Sequence, residues 1–421
     1  MNTDPNYEPR TLLEAFDAGP LVHTFLRDTF FGGREFPPTA VVEFDFRRGR
    51  RKMAPFVAPL VGGKLMERSG FETRFFRAPR IAPVRALRVP DLEPRMFGET
   101  IYEGSTAADR AAELLAEDSI FLDDAITRRE EWMCRQVMVN GSINVTADTG
   151  YAMNINYLEY GVPPANTNNH ETVAVKWDTQ TGSDPLADLE RARLNTIKFS
   201  GISPNVALFG NAAKAAFIAN NQVKTYLDNR RYELGNIAPI IQDQAVVRFA
   251  TVPGLECYSY AEYFEDDAGT LFAMMPDPIV VLASTNVQNK IVYGAFTQLE
   301  DVKAKRYVTY QTSRIPFVYG DEEDGNLFYR LTSCPLPMPA DILGFRIVEA
   351  LTGGAGPFMD EPMFAKEGDE ENGEPAGEAS LDEYTVDELK ETAESEGVDL
   401  EGAHRKDDII KAIKKHRRAN K

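Results

Sequence analysis

Apolar residues recur along 106–139 at steps of seven and four: Leu115, Leu122, Ile126, Met133 and Val137. That spacing lays them along one stripe of a helix. Thr106, with Asp109 three residues on, forms a start signal of the capping-box kind, and Asn140-Gly141 forms a stop. At ~1.5 Å per residue the predicted rod is roughly 50 Å long, more than a globular helix usually needs and suited to a spine against which other elements pack. Residues 41–46 follow a different period. Val42, Phe44 and Phe46 fall on one side and Glu43 and Asp45 on the other, which predicts a strand. The stretch 71–88 has β-type content and too many prolines for a helix interior. Gly62-Gly63 and Ser69-Gly70 supply turns between the two, so a long two-stranded loop is expected.

Further along, 142–200 is mostly polar, with a short strand predicted at 172–177 and a helix at 184–194. From Pro204 the pattern turns α/β: strand Val206–Phe209, helix 211–227, then strands near 245–249, 256–261 and Ile279–Ala283. Strand content returns at 307–310 and 345–348. A compact α/β unit at roughly 200–285 is therefore expected, inserted in a domain that resumes afterwards. The first forty residues mix Pro and Gly with apolar pairs such as Phe30 and Phe31, which reads as an extended arm with a short helix near 11–16. From Gly353 to Ser380 the chain is rich in Gly, Pro and Glu, the composition of a disordered linker. Two short helices are predicted beyond it, at 385–396 and 406–416, the first with a Thr385/Glu388 capping box and closed by Gly397.

Charge changes the picture most. The chain carries 46 Lys/Arg against 65 Asp/Glu, a net charge of −19. Yet between Arg47 and Arg88 there are twelve Arg/Lys and two acids, Glu67 and Glu72, and from Glu99 to Glu131 there are ten acids and three Arg. A basic projecting arm followed by an acidic helix points to copies of one chain lying on each other. The inter-subunit candidates are Arg47, Arg48, Arg50, Arg51, Lys52, Arg68, Arg74 and Arg77 on the arm, and Glu113, Glu117, Asp123 and Asp124 on the helix. The acidic balance argues against the body as a general nucleic-acid binder, since phosphate contacts need cations. It favours solubility at high local concentration.

At 421 residues two or three domains are expected. No apolar run approaches the ~20 residues of a membrane span, and the polar residues 1–10 lack a signal core, so no secretion is expected. Cys134, Cys257 and Cys334 are odd in number and not in metal-ligand spacing, which fits buried reduced thiols. The four histidines, His23, His170, His404 and His416, match no zinc spacing. No phosphate loop, dinucleotide fingerprint or nucleophile elbow is present. Acidic pairs such as Asp123 with Asp124, Glu130 with Glu131 and Asp266 with Asp267 read as solvated faces or salt-bridge partners. The expectation is a protein that is not an enzyme, with no cofactor, metal or catalytic residue.

In this setting the order of several stretches becomes recognisable. They are Phe25-Leu26-Arg27-Asp28-Thr29-Phe30-Phe31 with Phe36-Pro37; Ala58-Pro59-Leu60-Val61-Gly62-Gly63 with Arg68-Ser69-Gly70; the strand and helix from Asn205 to Leu227; Val280 to Asp301 with Tyr293-Gly294; and Ser333-Cys334-Pro335-Leu336-Pro337. Together they resemble the lambda-type major capsid proteins of tailed bacteriophages. The resemblance implies an α+β chain with the Hong Kong 97-type capsid fold: an N-terminal arm (1–40), an extended β loop (41–95) lying over a neighbour, and a peripheral domain (96–200, resuming at 286–352) with a spine helix at 106–139. An axial domain (201–285) meets its copies at the capsomer centre. It also implies hexamers and pentamers in one icosahedral shell around double-stranded DNA, in the virion after assembly in the host cytoplasm. The implied partners are a separate scaffolding protein, a portal and a decoration protein, with no sequence-specific DNA contact by the body and no membrane. Each contact can be modest, because closed symmetry and multivalency add them up.

The chain departs from that pattern after Leu351. Beyond the acidic linker (353–381), residues 382–421 resemble a helix-extended-helix module of the SAP kind. Such modules often bind DNA, and Arg405, Lys406, Lys411, Lys414, Lys415, Arg417 and Arg418 suit that role. Basic residues at a helix C-terminus also complement its dipole, so a merely decorating module stays open. Two other readings stay open as well: an encapsulin-like cellular compartment, and an oligomeric DNA-binding protein acting through the tail.

Overall fold

In the computed structural model, residues 22–46, 53–54, 56, 65–66, 72–92, 106–146, 152–158, 169–179, 182–228, 240–241, 245–265, 271–301, 306–320 and 326–352 are described. The chain divides into two units, 1–365 and 366–421, and all described residues lie in the first. The helix expected near 11–16, the arm tip and the tail helices lie outside the described residues.

The helix Ala107–Asn140 runs between the expected signals. Thr106 and Asp109 form a reciprocal capping box, and Gly141 closes the helix in the left-handed conformation at φ 64°, donating to the Val137 carbonyl. Its apolar stripe meets two cores. Leu115, Leu122 and Ile126 pack on Tyr329 and Leu331 of an antiparallel sheet ordered Ile315–Gly320, Leu327–Thr332, Val84–Leu87. Met133, Val137 and their neighbours enter a larger core with Leu26, Phe30 and Phe31. Each fully buried side chain of this size contributes ~1.5–3 kcal/mol, so the helix is held along its length by burial and not by propensity.

A seven-stranded mixed sheet runs in the order His170–Thr172, Arg346–Glu349, Ile279–Ala283, Val206–Phe209, Leu255–Tyr260, Val246–Val252, Ile240–Ile241. Val206 and Leu208 face one core, Ala207 and Phe209 the other; Val281 and Val280 divide in the same way. Both faces are covered, which is why these strands read as continuous apolar runs. One cover consists of the helices Pro185–Phe199, Asn211–Ala219 and Asn221–Asp228, which bring Leu189, Ala213, Phe217 and Val223 onto Phe209 and Phe249 around Trp177. Two of the seven strands, 170–172 and 346–349, come from outside 201–285.

Two local expectations need correction. A strand is expected at 172–177, but the strand is His170–Thr172, parallel to Arg346–Glu349. After it the chain bends inward, and Trp177 donates its N–H to the Ala350 carbonyl at 2.9 Å and its Nε1–H to Asp188 at 3.0 Å. The helix expected at 211–227 is two helices. Asn220 between them is extended; its Nδ2 donates to Ser183 Oγ at 2.7 Å, and its Oδ1 accepts from the Gln222 N–H at 2.8 Å, starting the second helix.

Candidate assembly surface

The segment 22–35 crosses the body and is fixed there by two adjacent carboxylates of the long helix. The short helix Phe25–Phe30 has no side-chain cap of its own. Glu131 caps it from a distance, accepting the backbone N–H groups of Leu26 (2.7 Å) and Arg27 (2.8 Å) and the Tyr260 hydroxyl (3.0 Å). Glu130 accepts from the Arg27 guanidinium at 3.1 Å and from Arg314 at 2.6 Å. Arg314 also donates to Asp123 and, at 2.9 Å, to Thr127 Oγ1. Both glutamates are 0% exposed. Burial pushes the Glu131 carboxyl up to about 7, against the pull of the Arg27 and Leu26 N–H groups and Tyr260. Burial works to lower Arg314, but Glu130 and Asp123 hold it above the ordinary arginine value.

From this anchor the chain continues as Gly33–Glu35, a parallel edge strand beside Lys290–Tyr293. Gly33 suits the close approach: a Cβ there would lie 3.0 Å from Lys290 Cβ. A hairpin follows, Val41–Phe46 antiparallel to Glu72–Arg77, with Val41 opposite Arg77 and Phe46 opposite Glu72. Val42 and Phe76 turn inward, Phe76 against Tyr157 at 5.7 Å between ring centres. The other face presents Val41, Glu43, Arg77 and Phe75, the last 64% exposed. A groove of about 660 Å³ runs under the strand, lined by Glu35, Phe36, Thr39, Val42, Phe44 and Lys290.

The predicted contact residues fall in several places. Arg74 and Arg77 are exposed on the hairpin's return strand, and Glu113 and Glu117 are exposed near the start of the long helix. Asp123, 30% exposed, is bonded to Arg314 of the same chain. Asp124 is partly covered; burial raises its carboxyl and Asp123 adds to this, while Arg128 opposes. Arg47, Arg48, Arg50, Arg51, Lys52, Arg68 and the tail cations from Arg405 to Arg418 lie outside the described residues. The glutamate pair 130/131 is not a solvated face: Glu130 is a buried salt-bridge partner and Glu131 a buried cap. A signal for this was present in the sequence. Glu130 stands four residues after Ile126 and three before Met133, on the apolar stripe itself.

Nothing described here is arranged for catalysis. Among the described residues no three side chains could hold a metal ion, and no helix is long and apolar enough to cross a membrane. The three cysteines are free and buried, and burial pushes the Cys257 thiol up to about 12, the opposite of an activated nucleophile. His170 is tied to Glu349 at 3.3 Å and to the Val139 carbonyl at 3.0 Å.

The described molecule is thus a mixed α+β body with a hairpin packed on it through Val42 and Phe76 and an N-terminal segment anchored by Glu131. The chain belongs to the phage major capsid protein E family, matched over residues 8–349. It is similar to the major capsid protein of Escherichia phage N15, 24% identical over 313 residues, which cover 70% of this chain and 84% of that one. The major capsid protein of Enterobacteria phage phi80 is 24% identical over 287 residues, 64% of this chain and 76% of the relative. In fold it resembles the crystal structure of a putative prophage capsid protein from E. coli CFT073, at a TM-score of 0.60 and 17% identity over 81% of this chain and 98% of that one. These are shell proteins and not enzymes, as the absence of a catalytic expectation in the sequence anticipated.

Proposed function

We propose that the chain is the structural subunit that self-assembles into the icosahedral head enclosing the double-stranded DNA of a tailed bacteriophage. The observation that carries this is the family match across 8–349. The phage origin of the relatives favours a virion over an encapsulin-like compartment. In finer terms, the hairpin 41–77 is read as the base of the extended loop that lies over a neighbour, the long helix as the spine of a Hong Kong 97-type peripheral domain, and the seven-stranded sheet as the centre of the axial region. Segment 22–35 is read as the root of an arm reaching another copy. Exposed Glu113 and Glu117 support the reading of the helix as the acidic surface for a basic loop. Scaffolding, portal and decoration proteins, and assembly in the host cytoplasm, belong to the same proposal.

Negative-stain electron microscopy of the purified chain, alone and with its neighbouring gene products, tests the class. Closed shells or hexameric and pentameric rings are expected; a small monodisperse particle under all conditions would overturn it. Reversing Arg47, Arg48, Arg50 and Arg51 to Glu tests the loop. Assembly should fail while the circular dichroism spectrum stays unchanged, and raised salt should weaken normal assembly, because exposed ion pairs are screened over ~10 Å at 0.1 M. Normal shells from the reversed chain would remove the loop from the contact.

A further inference from the structure

At the base of the hairpin Arg80 and Arg330 both reach the strand Phe296–Asp301, and Arg77 stands three residues before Arg80. Arg80 lies over the Phe296 ring, 4.6 Å from its centre. Arg330 lies over Phe317 at 5.0 Å and Tyr319 at 6.0 Å, and donates one N–H to Gln298 Oε1 at 2.9 Å. Its Nε is buried and has no hydrogen-bond partner. Arg77 and Arg80 both bear on Cys334, whose carbonyl accepts the Gly294 N–H. Burial lowers Arg330 from the ordinary arginine value and the charge of Arg80 lowers it further; of the groups acting on it, only the Tyr319 hydroxyl opposes them. Among the described residues, Arg77, Arg80 and Arg330 take part in no ion pair.

Adjacent like charges left unneutralised are unusual in a chain with 65 acids and 46 bases. Rings lie against both guanidiniums, so less side-chain freedom remains to be lost when an anion arrives. A planar, partly desolvated pair of forks suits a carboxylate, which it can hold through two parallel charge-assisted bonds. The frame of Phe296, Phe317 and Tyr319 is apolar and local. A DNA backbone, by contrast, needs a stripe of cations spaced along it.

We infer that Arg80 and Arg330, with Arg77 at the rim, form a receptor for an aspartate or glutamate side chain of a second copy of this chain. This rests on the shell reading and adds a contact to it. The contact extends that of the basic loop: Arg77 stands on the hairpin's return strand and Arg80 just after it, while Arg330 comes from the strand Leu327–Thr332. The acid-rich surface of an identical neighbour supplies the partner, and the pairing makes a head-to-tail contact of the kind that closes rings.

Three full-length chains test it: unmodified, Arg80→Glu, and Arg80→Glu with Arg330→Glu. Arg80 is exposed, so the single variant tests the contact even if the double one does not fold. Arg80→Glu should melt as an unassembled subunit like the unmodified chain, and both variants should need roughly tenfold or more subunit to form shells, about 1.4 kcal/mol per contact. A further chain, Arg80→Lys, is assembled from equal parts of nitrogen-15-labelled and unlabelled subunit and treated with a carbodiimide. Mixed-isotope peptides joining position 80 to an Asp or Glu are expected. Shells of the Arg80→Glu chain that form at the usual concentration, with only single-isotope links or none, would overturn the inference and leave the shell reading standing. If those shells form normally but retain less DNA, the ligand is phosphate and the inference is equally overturned. If the unmodified chain forms no shells, the shell reading fails and this inference falls with it.

Discussion

Glu131 is a carboxylate asked to be two things. Three donors favour its ionised form, while complete burial favours the neutral one, and burial prevails, raising it from the ordinary glutamate value to about 7. The sign of the consequence is fixed. The folded chain holds this proton more tightly than the unfolded one, so the associated stability is fully present below about 4.5 and is lost as pH rises through about 7. The slope for one proton cannot exceed about 1.4 kcal/mol per pH unit. Glu171 behaves oppositely. Burial works to raise it, but Arg191, Asn195 and Arg346 hold it below the ordinary value, so its contribution is lost only in acid. Glu131→Gln should therefore flatten the stability profile between about pH 4.5 and 7 in urea titrations and leave the acid limb in place. A variant profile parallel to that of the unmodified chain through this window would show that Glu131 is ionised throughout. Glu130 is different again: with Arg27 and Arg314 both on it, its charge is matched, and removing either arginine would strand it.

The ends of the long helix show how differently two caps weigh. Thr106 is exposed, and its bonds with Asp109 are local, so Thr106→Ala should cost about 1 kcal/mol. Gly141 is buried at φ 64°, and a Cβ there would sit 2.6 Å from Leu158 Cγ. Gly141→Ala adds left-handed strain to overpacking, and the unfolding midpoint in urea should fall by the equivalent of about 2–3 kcal/mol. Equal effects at both ends would mean that Leu158 moves aside freely. Both caps were legible in the sequence because the signals are local, as were Val41–Phe46, Val206–Phe209 and Ile279–Ala283, whose bounds match the expected ones. What was not legible is non-local. Glu130 finds Arg27 and Arg314 across 103 and 184 residues, and the break at Asn220 depends on Ser183, 37 residues away. The strand expected at 172–177 instead starts at His170 and stops at Thr172; Val173 and Trp177 are buried but Val175 is 39% exposed, so the stretch follows no strand alternation. The arginine receptor we infer draws on three segments, 77–80, 296–298 and 317–330, that no local signal in the sequence links.

At the scale of the whole chain, the family match ends at residue 349, and the division between the two units falls between Ala365 and Lys366. The acid-rich stretch from Asp360 to Glu378, eight acids and one Lys, therefore separates a shell-forming body from the basic residues at 405–421, eight Lys/Arg in all. Such an arrangement predicts independence: removing 360–421 should leave shell formation and the melting of the body unchanged, because no anchor, hairpin or core residue described above is lost. DNA behaviour separates the two readings of the tail. Neutralising several phosphates releases counterions, so tail-dependent binding would weaken by orders of magnitude between 50 and 200 mM salt. Full-length and truncated chains would then differ in mobility-shift assays at the low end and converge at the high end. Equal binding at every salt concentration would make the tail a decoration. Loss of shells on truncation would instead place the tail among the assembly contacts, and the separation between body and linker would have to be abandoned.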